Sequence, residues 1–121
     1  MQAARDAFRV ETSGGTLIIS PVGDIVSLSG DLLDEAALMM SQLIEVHESP
    51  MLVIDLKGVV SCSSLFMSFL LRCHKAVKGR GGEMVLCETS KMLHELLSLT
   101  RLDTVWAVYQ TRAEALSALD G

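Results

Sequence analysis

The run Ser61-Cys62-Ser63-Ser64 places three hydroxyls and a thiol at four consecutive positions. Such a cluster suits three kinds of chemistry: capping a helix, accepting a phosphate, or presenting a nucleophilic thiolate. The thiolate reading needs free backbone N–H groups to lower the pKa of Cys62, and a strand-to-helix turn supplies them. A cysteine-dependent phosphatase loop also needs an arginine six residues on to hold the phosphate, and that position is Ser68. A small thiol enzyme or redox sensor therefore rests on Cys62 alone. The serine reading asks for less. A hydroxyl at a helix start accepts a backbone N–H, and a phosphate there gains charge-assisted bonds from the same groups. Its added charge, about −1.5 to −2, repels an acidic partner surface. One serine at this place can be both cap and switch.

Other enzyme signatures are absent from the sequence. No G-x-G-x-x-G follows a strand and no G-x-x-x-x-G-K-[ST] occurs, so the backbone cradles of nucleotide sites are missing. The histidines at 47, 74 and 94 and the cysteines at 62, 73 and 87 have no metal-ligand spacing. Neither a cofactor nor a metal is expected.

The elements that hold the serine cluster follow from periodicity. Residues 7–12 alternate, with Phe8 and Val10 inward, and read as a strand; Gly14-Gly15 turns the chain into a second one, Thr16–Ser20. From Ser29 to Val46 the apolar residues Leu33, Ala36, Ala37, Met40, Leu43 and Ile44 recur at helical spacing, with Ser29 or Asp31 as the cap. Met51–Leu56 is a short apolar run that suits a central strand. Ser63-Ser64 opens a helix to about Lys78, with Phe66, Phe69, Leu70, Cys73 and Val77 inward and Ser68, Arg72 and Lys75 outward. Gly79, Gly81 and Gly82 stop it, as left-handed backbone at a helix end requires. A strand at Glu83–Cys87, a helix from Ser90, a strand at Val105–Tyr109 and a helix opened by the capping box Thr111-Arg112-Ala113-Glu114 complete the order. Met40, Met84 and Met92 fall at core-like positions. Alternating strands and helices predict an α/β domain with a mostly parallel sheet.

Length and charge narrow the function. The chain has 121 residues, half of them hydrophobic, and a net charge of −5, which argues for one folded domain and against nucleic acid as a partner. The polar start and the lack of a long apolar stretch predict a cytoplasmic protein without membrane insertion. Residues 1–6 are expected to be a flexible N-terminus ahead of a domain at 7–119.

The segment Leu52-Val-Ile-Asp-Leu-Lys-Gly-Val-Val-Ser-Cys-Ser-Ser, then Leu70-Leu71-Arg72 with Lys75, then Gly81-Gly82-Glu83-Met84-Val85-Leu86, resembles the STAS domain family. Gly23-Asp24-Ile25 and the tail from Leu96 through Thr111–Leu116 fit the same pattern. The family includes bacterial anti-sigma factor antagonists and cytoplasmic domains of sulfate transporters. The resemblance implies a mixed four- to five-stranded sheet with helices mostly on one face, and a binding role in signal transduction and transcription regulation rather than catalysis. The implied partner is an anti-sigma factor kinase, which phosphorylates a hydroxyl at the start of the second family helix and so ends binding. A constitutive scaffold, a lipid-transport-complex subunit and a homodimer are further options.

Aligned without gaps, Leu65 stands where the family carries its phosphorylated hydroxyl. Ser63 and Ser64 are the remaining phosphorylation candidates. By helical rotation Leu65 groups with the outward residues Ser68 and Arg72, which puts apolar surface at the helix mouth. The expected contact face is Asp24, Ser61, Cys62, Ser63, Ser64, Leu65, Ser68, Arg72 and Lys75.

Overall fold

The computed structural model describes residues 2–22, 29–60 and 63–120. A helix, α1 (Gln2–Ala7), leads directly into a hairpin of β1 (Phe8–Ser13) and β2 (Thr16–Pro21). Gly14 and Gly15 both take positive φ, the backbone that a two-residue hairpin turn demands and that glycine adopts without strain. The chain continues through α2 (Gly30–Glu45), β3 (Met51–Asp55), α3 (Ser64–Lys78), β4 (Glu83–Cys87), α4 (Lys91–Leu99), β5 (Val108–Tyr109) and α5 (Arg112–Asp120).

The strands lie in sequence order, β1 to β5, with β1 antiparallel to β2 and every later pair parallel. Each parallel crossover steps in the same direction, and right-handed crossovers then deliver their helices to one face. Leu17, Ile19, Leu52, Ile54, Met84 and Leu86 meet residues of α1 to α4 there, in the main core. The alternate residues Ile18, Val53, Val85 and Cys87 meet Ala115, Leu116 and Leu119 of α5 on the opposite face. Central strands covered on both faces must be apolar almost throughout, and β3 is fully buried from Leu52 to Asp55. Among the described residues, the mixed five-stranded sheet carries α1 to α4 on one face and α5 on the other, which agrees with the expected architecture.

Five local expectations need correction. Residues 2–6 are helical rather than a flexible tail, because Ala4 and Ala7 bury against the core and α1 packs on α2. Val10 is 40% exposed: it shares the face of Phe8, but β1 is the sheet's edge. Met92 lies outward on α4, where Leu93 and Leu97 already form the buried stripe. The last strand shrinks to Val108–Tyr109, since residues 102–104 form a 3-10 turn that drops Trp106 into the core. Of the glycines after α3, only Gly81 is left-handed. Gly82 is required for a different reason: a Cβ there would lie 1.9 Å from the Pro50 carbonyl oxygen.

Candidate functional site at the start of α3

The start of α3 stands at the carboxyl end of β3, where the chain leaves the sheet. Ser63 is the N-cap; its backbone is extended and its Oγ accepts the Phe66 N–H at 3.2 Å. That bond satisfies one of the donors a helix start leaves open. Ser64, the first helical residue, is exposed. Phe66, Phe69, Leu70, Cys73 and Val77 form the buried face of α3, as their spacing predicts.

Leu65 is 50% exposed. Its side chain reaches toward the opening turn of α2, where a methyl group added to Gly30 would lie 4.0 Å from Leu65 Cδ2. Ser68, Arg72 and Lys75 follow Leu65 at helical spacing and are all exposed, so the four residues form one stripe. Arg72 also holds Asp34 of α2, Nη1 to Oδ1 at 2.6 Å, with both side chains largely in solvent. On the strand side, Val60 is 65% exposed. Its carbonyl accepts the Ser90 hydroxyl at 3.0 Å, while Ser90 Oγ caps α4 through the Leu93 N–H. The α3 corner therefore has α2 on one side, and the chain ahead of it is tied at Val60 to the α4 cap. Asp24, Ser61 and Cys62, expected on the same face, lie outside the described residues.

The two described cysteines have no nucleophilic character. Burial pushes the thiols of Cys73 and Cys87 up to about 12. For Cys87, the carboxylates of Asp55 and Glu88 add to the rise. Among the described residues, no group of three His, Cys, Asp or Glu side chains could hold a metal.

A second polar cluster, on the α5 face, was not anticipated. Arg112 donates from Nε to Asp55 Oδ2 at 2.7 Å and from Nη2 to Glu11 Oε2 at 3.0 Å and Ser20 Oγ at 3.3 Å. Glu88 Oε2 accepts the Arg112 backbone N–H at 2.9 Å. These bonds to Glu11 and Asp55 hold the guanidinium still more firmly protonated. The sequence did carry a signal for this cluster. Asp55 ends an otherwise apolar strand, and a buried carboxylate requires a cation. Its partner, 57 positions away, has no local signature.

The model of the family described as STAS domain matches residues 7–115. The chain belongs to the STAS domain family. Over 100 residues it is 28% identical to the anti-sigma F factor antagonist of Paenibacillus polymyxa, covering 79% of this chain and 86% of that protein. An anti-sigma-factor antagonist (STAS) domain protein from Planctomyces limnophilus superposes with a TM-score of 0.82 at 29% identity, covering 94% of this chain and 98% of the other. The Bacillus cell fate determinant SpoIIAA in its phosphorylated form shares the fold, with a TM-score of 0.66 at 18% identity and coverage of 93% and 98%. This STAS domain thus resembles anti-sigma factor antagonists in sequence and fold. Among its described residues, no helix is long and apolar enough to cross a membrane.

Proposed function

We propose that this STAS domain is a cytoplasmic, non-catalytic binding module that docks a kinase-type anti-sigma factor through the start of α3. The observation that carries the reading is the half-exposed Leu65 in the first turn of a serine-capped helix. An apolar side chain held in solvent on a rigid element is an anchor for a partner's pocket. Ser63, Ser64, Ser68, Arg72 and Lys75 rim that anchor, and the sequence adds Asp24, Ser61 and Cys62 to the proposed contact face.

The two candidate acceptors differ in role. Ser63 is committed to the Phe66 N–H, whereas Ser64 is exposed in the first turn. A phosphate on Ser64 would gain the helix-start N–H groups and place its charge beside Leu65. Ser64 is thus the switch and Ser63 the cap.

The test is to mix the chain with an anti-sigma factor kinase encoded beside it, with and without ATP, and follow co-elution and intact mass. A complex is expected before phosphoryl transfer, with one phosphoryl group on Ser64 ending it; Ser64→Ala binds but is not modified. Binding without any modification would favour the constitutive scaffold reading. Absence of a complex under both conditions would overturn the assignment to this partner class.

A further inference from the structure

The two edges of the sheet differ. At one end β5 has only two residues, while at the other β1 presents six, without a proline or a bulge. An open edge of that length is a template for another strand. Its hydrogen-bonding phase is fixed by the bond from the Val22 N–H to the Ala7 carbonyl at 2.8 Å. Residues 7, 9, 11 and 13 therefore bond toward β2, and Phe8, Val10 and Thr12 point their N–H and C=O groups away from it. Beside this edge, Phe8, Val10, Met39, Leu43 and Val46 line a groove of about 430 Å³ on the helical face. Val10 and Val46 are 40% and 78% exposed.

We infer that β1 is a homodimer interface, in which two copies pair antiparallel through their β1 edges about a two-fold axis at Val10. The charge pattern of Phe8-Arg9-Val10-Glu11-Thr12 selects this register. Pairing must join outward-facing groups, so the allowed registers differ by two residues. Centred on Arg9, the pairing sets Arg9 against its own copy; centred on Glu11, it sets Glu11 against its own copy. Like charges directly opposite are destabilising. Centred on Val10, it sets Arg9 opposite Glu11 twice, at non-hydrogen-bonded positions where side chains come closest. Val10 then faces Val10, and Phe8 faces Thr12, closing about six inter-chain hydrogen bonds. Arg9 is exposed and has no ion pair among the described residues; Glu11 lies on the same face, already beside Arg112. The two grooves meet across the axis and bury their valines, forming an isologous interface.

Sedimentation equilibrium of the full chain tests this surface, which shares no residue with the α3 start and so is independent of the partner reading. The native chain is expected to dimerise with concentration. Val10→Pro removes only an outward N–H, which an edge strand tolerates; it should give a monomer with native circular dichroism. Arg9→Glu and Glu11→Lys should each weaken self-association at least tenfold, and an equimolar mixture of the two should restore a heterodimer, since every facing pair is again opposite in charge. The mixture also guards against a fold defect in Glu11→Lys, which loses the bond to Arg112. A native chain that stays monomeric at every concentration, or dimers unchanged by Arg9→Glu and Val10→Pro, would overturn the inference.

Discussion

The starts of α3 and α5 both carry capping hydroxyls, yet they use their polar side chains in opposite ways. At α5, Thr111 Oγ1 accepts the Glu114 N–H at 3.1 Å, and Arg112 binds Asp55, Glu11 and Ser20. That one helix start ties three strands together. At α3, among the described residues, the side chains of the opening turn make one hydrogen bond, from Phe66 N–H to Ser63 Oγ, and Ser64, Leu65 and Ser68 are exposed. Where polar groups close on one another, they hold the fold. Groups left unengaged on a rigid frame are free for another molecule.

Breaking the α5 start should have the largest effect on stability. Arg112→Ala leaves Asp55, only 6% exposed, as an uncompensated carboxylate. Removing one partner of a buried pair costs about 3–5 kcal/mol. Arg112 is itself partly in solvent, so about 2–3 kcal/mol is expected, read as a lower urea midpoint at unchanged m. Partner affinity per folded molecule should not change. Next comes Ser63→Ala, which removes the α3 cap and should cost about 1 kcal/mol, measured in the same way.

Ser64→Glu sharpens the contrast by separating stability from binding. A carboxylate in the first turn favours the helix by about 0.3–1 kcal/mol, so the melting temperature should rise slightly while partner binding falls. The smallest effect concerns pH. Burial, with Lys78 nearby, lowers the pKa of His74 below its ordinary 6.5, and Glu83 offsets this only in part. The unfolded chain therefore takes up the proton first. The stability that neutral His74 confers is complete above about pH 6.5 and is lost as pH falls through the folded value. Its ring meets Trp106 edge-on at 5.8 Å, and Trp106 is the chain's single tryptophan. Urea titrations followed by its fluorescence should show an acid-side loss that His74→Gln flattens.

Period and capping residues made most of the fold legible. Ser29, Ser63 and Ser90 cap the helices they precede, because a short hydroxyl side chain is the simplest local answer to open N–H groups. The inward face of α3 was readable residue by residue for the same reason: helical spacing is local. What escaped was set by distant chain. Trp106 sits in an alternating run that reads as strand, but the core draws it in from a turn. Val10 obeys the alternation of β1, and only its place at the sheet edge exposes it. The capping box before α5 was evident, whereas the reach of Arg112 to Glu11 spans 101 positions. At the α3 start, Leu65 could be placed on the outer face by rotation alone; the nearness of α2 and the tie from Val60 to the α4 cap could not.

The most direct test of the central claim is the affinity of an anti-sigma factor kinase for the native chain and for Leu65→Asp, by isothermal titration. An exposed position tolerates the change, so stability should move by less than about 0.5 kcal/mol. If Leu65 is the anchor, binding should weaken by about 2 kcal/mol or more, roughly thirtyfold. Equal affinity for both proteins, with both folded, would contradict the account.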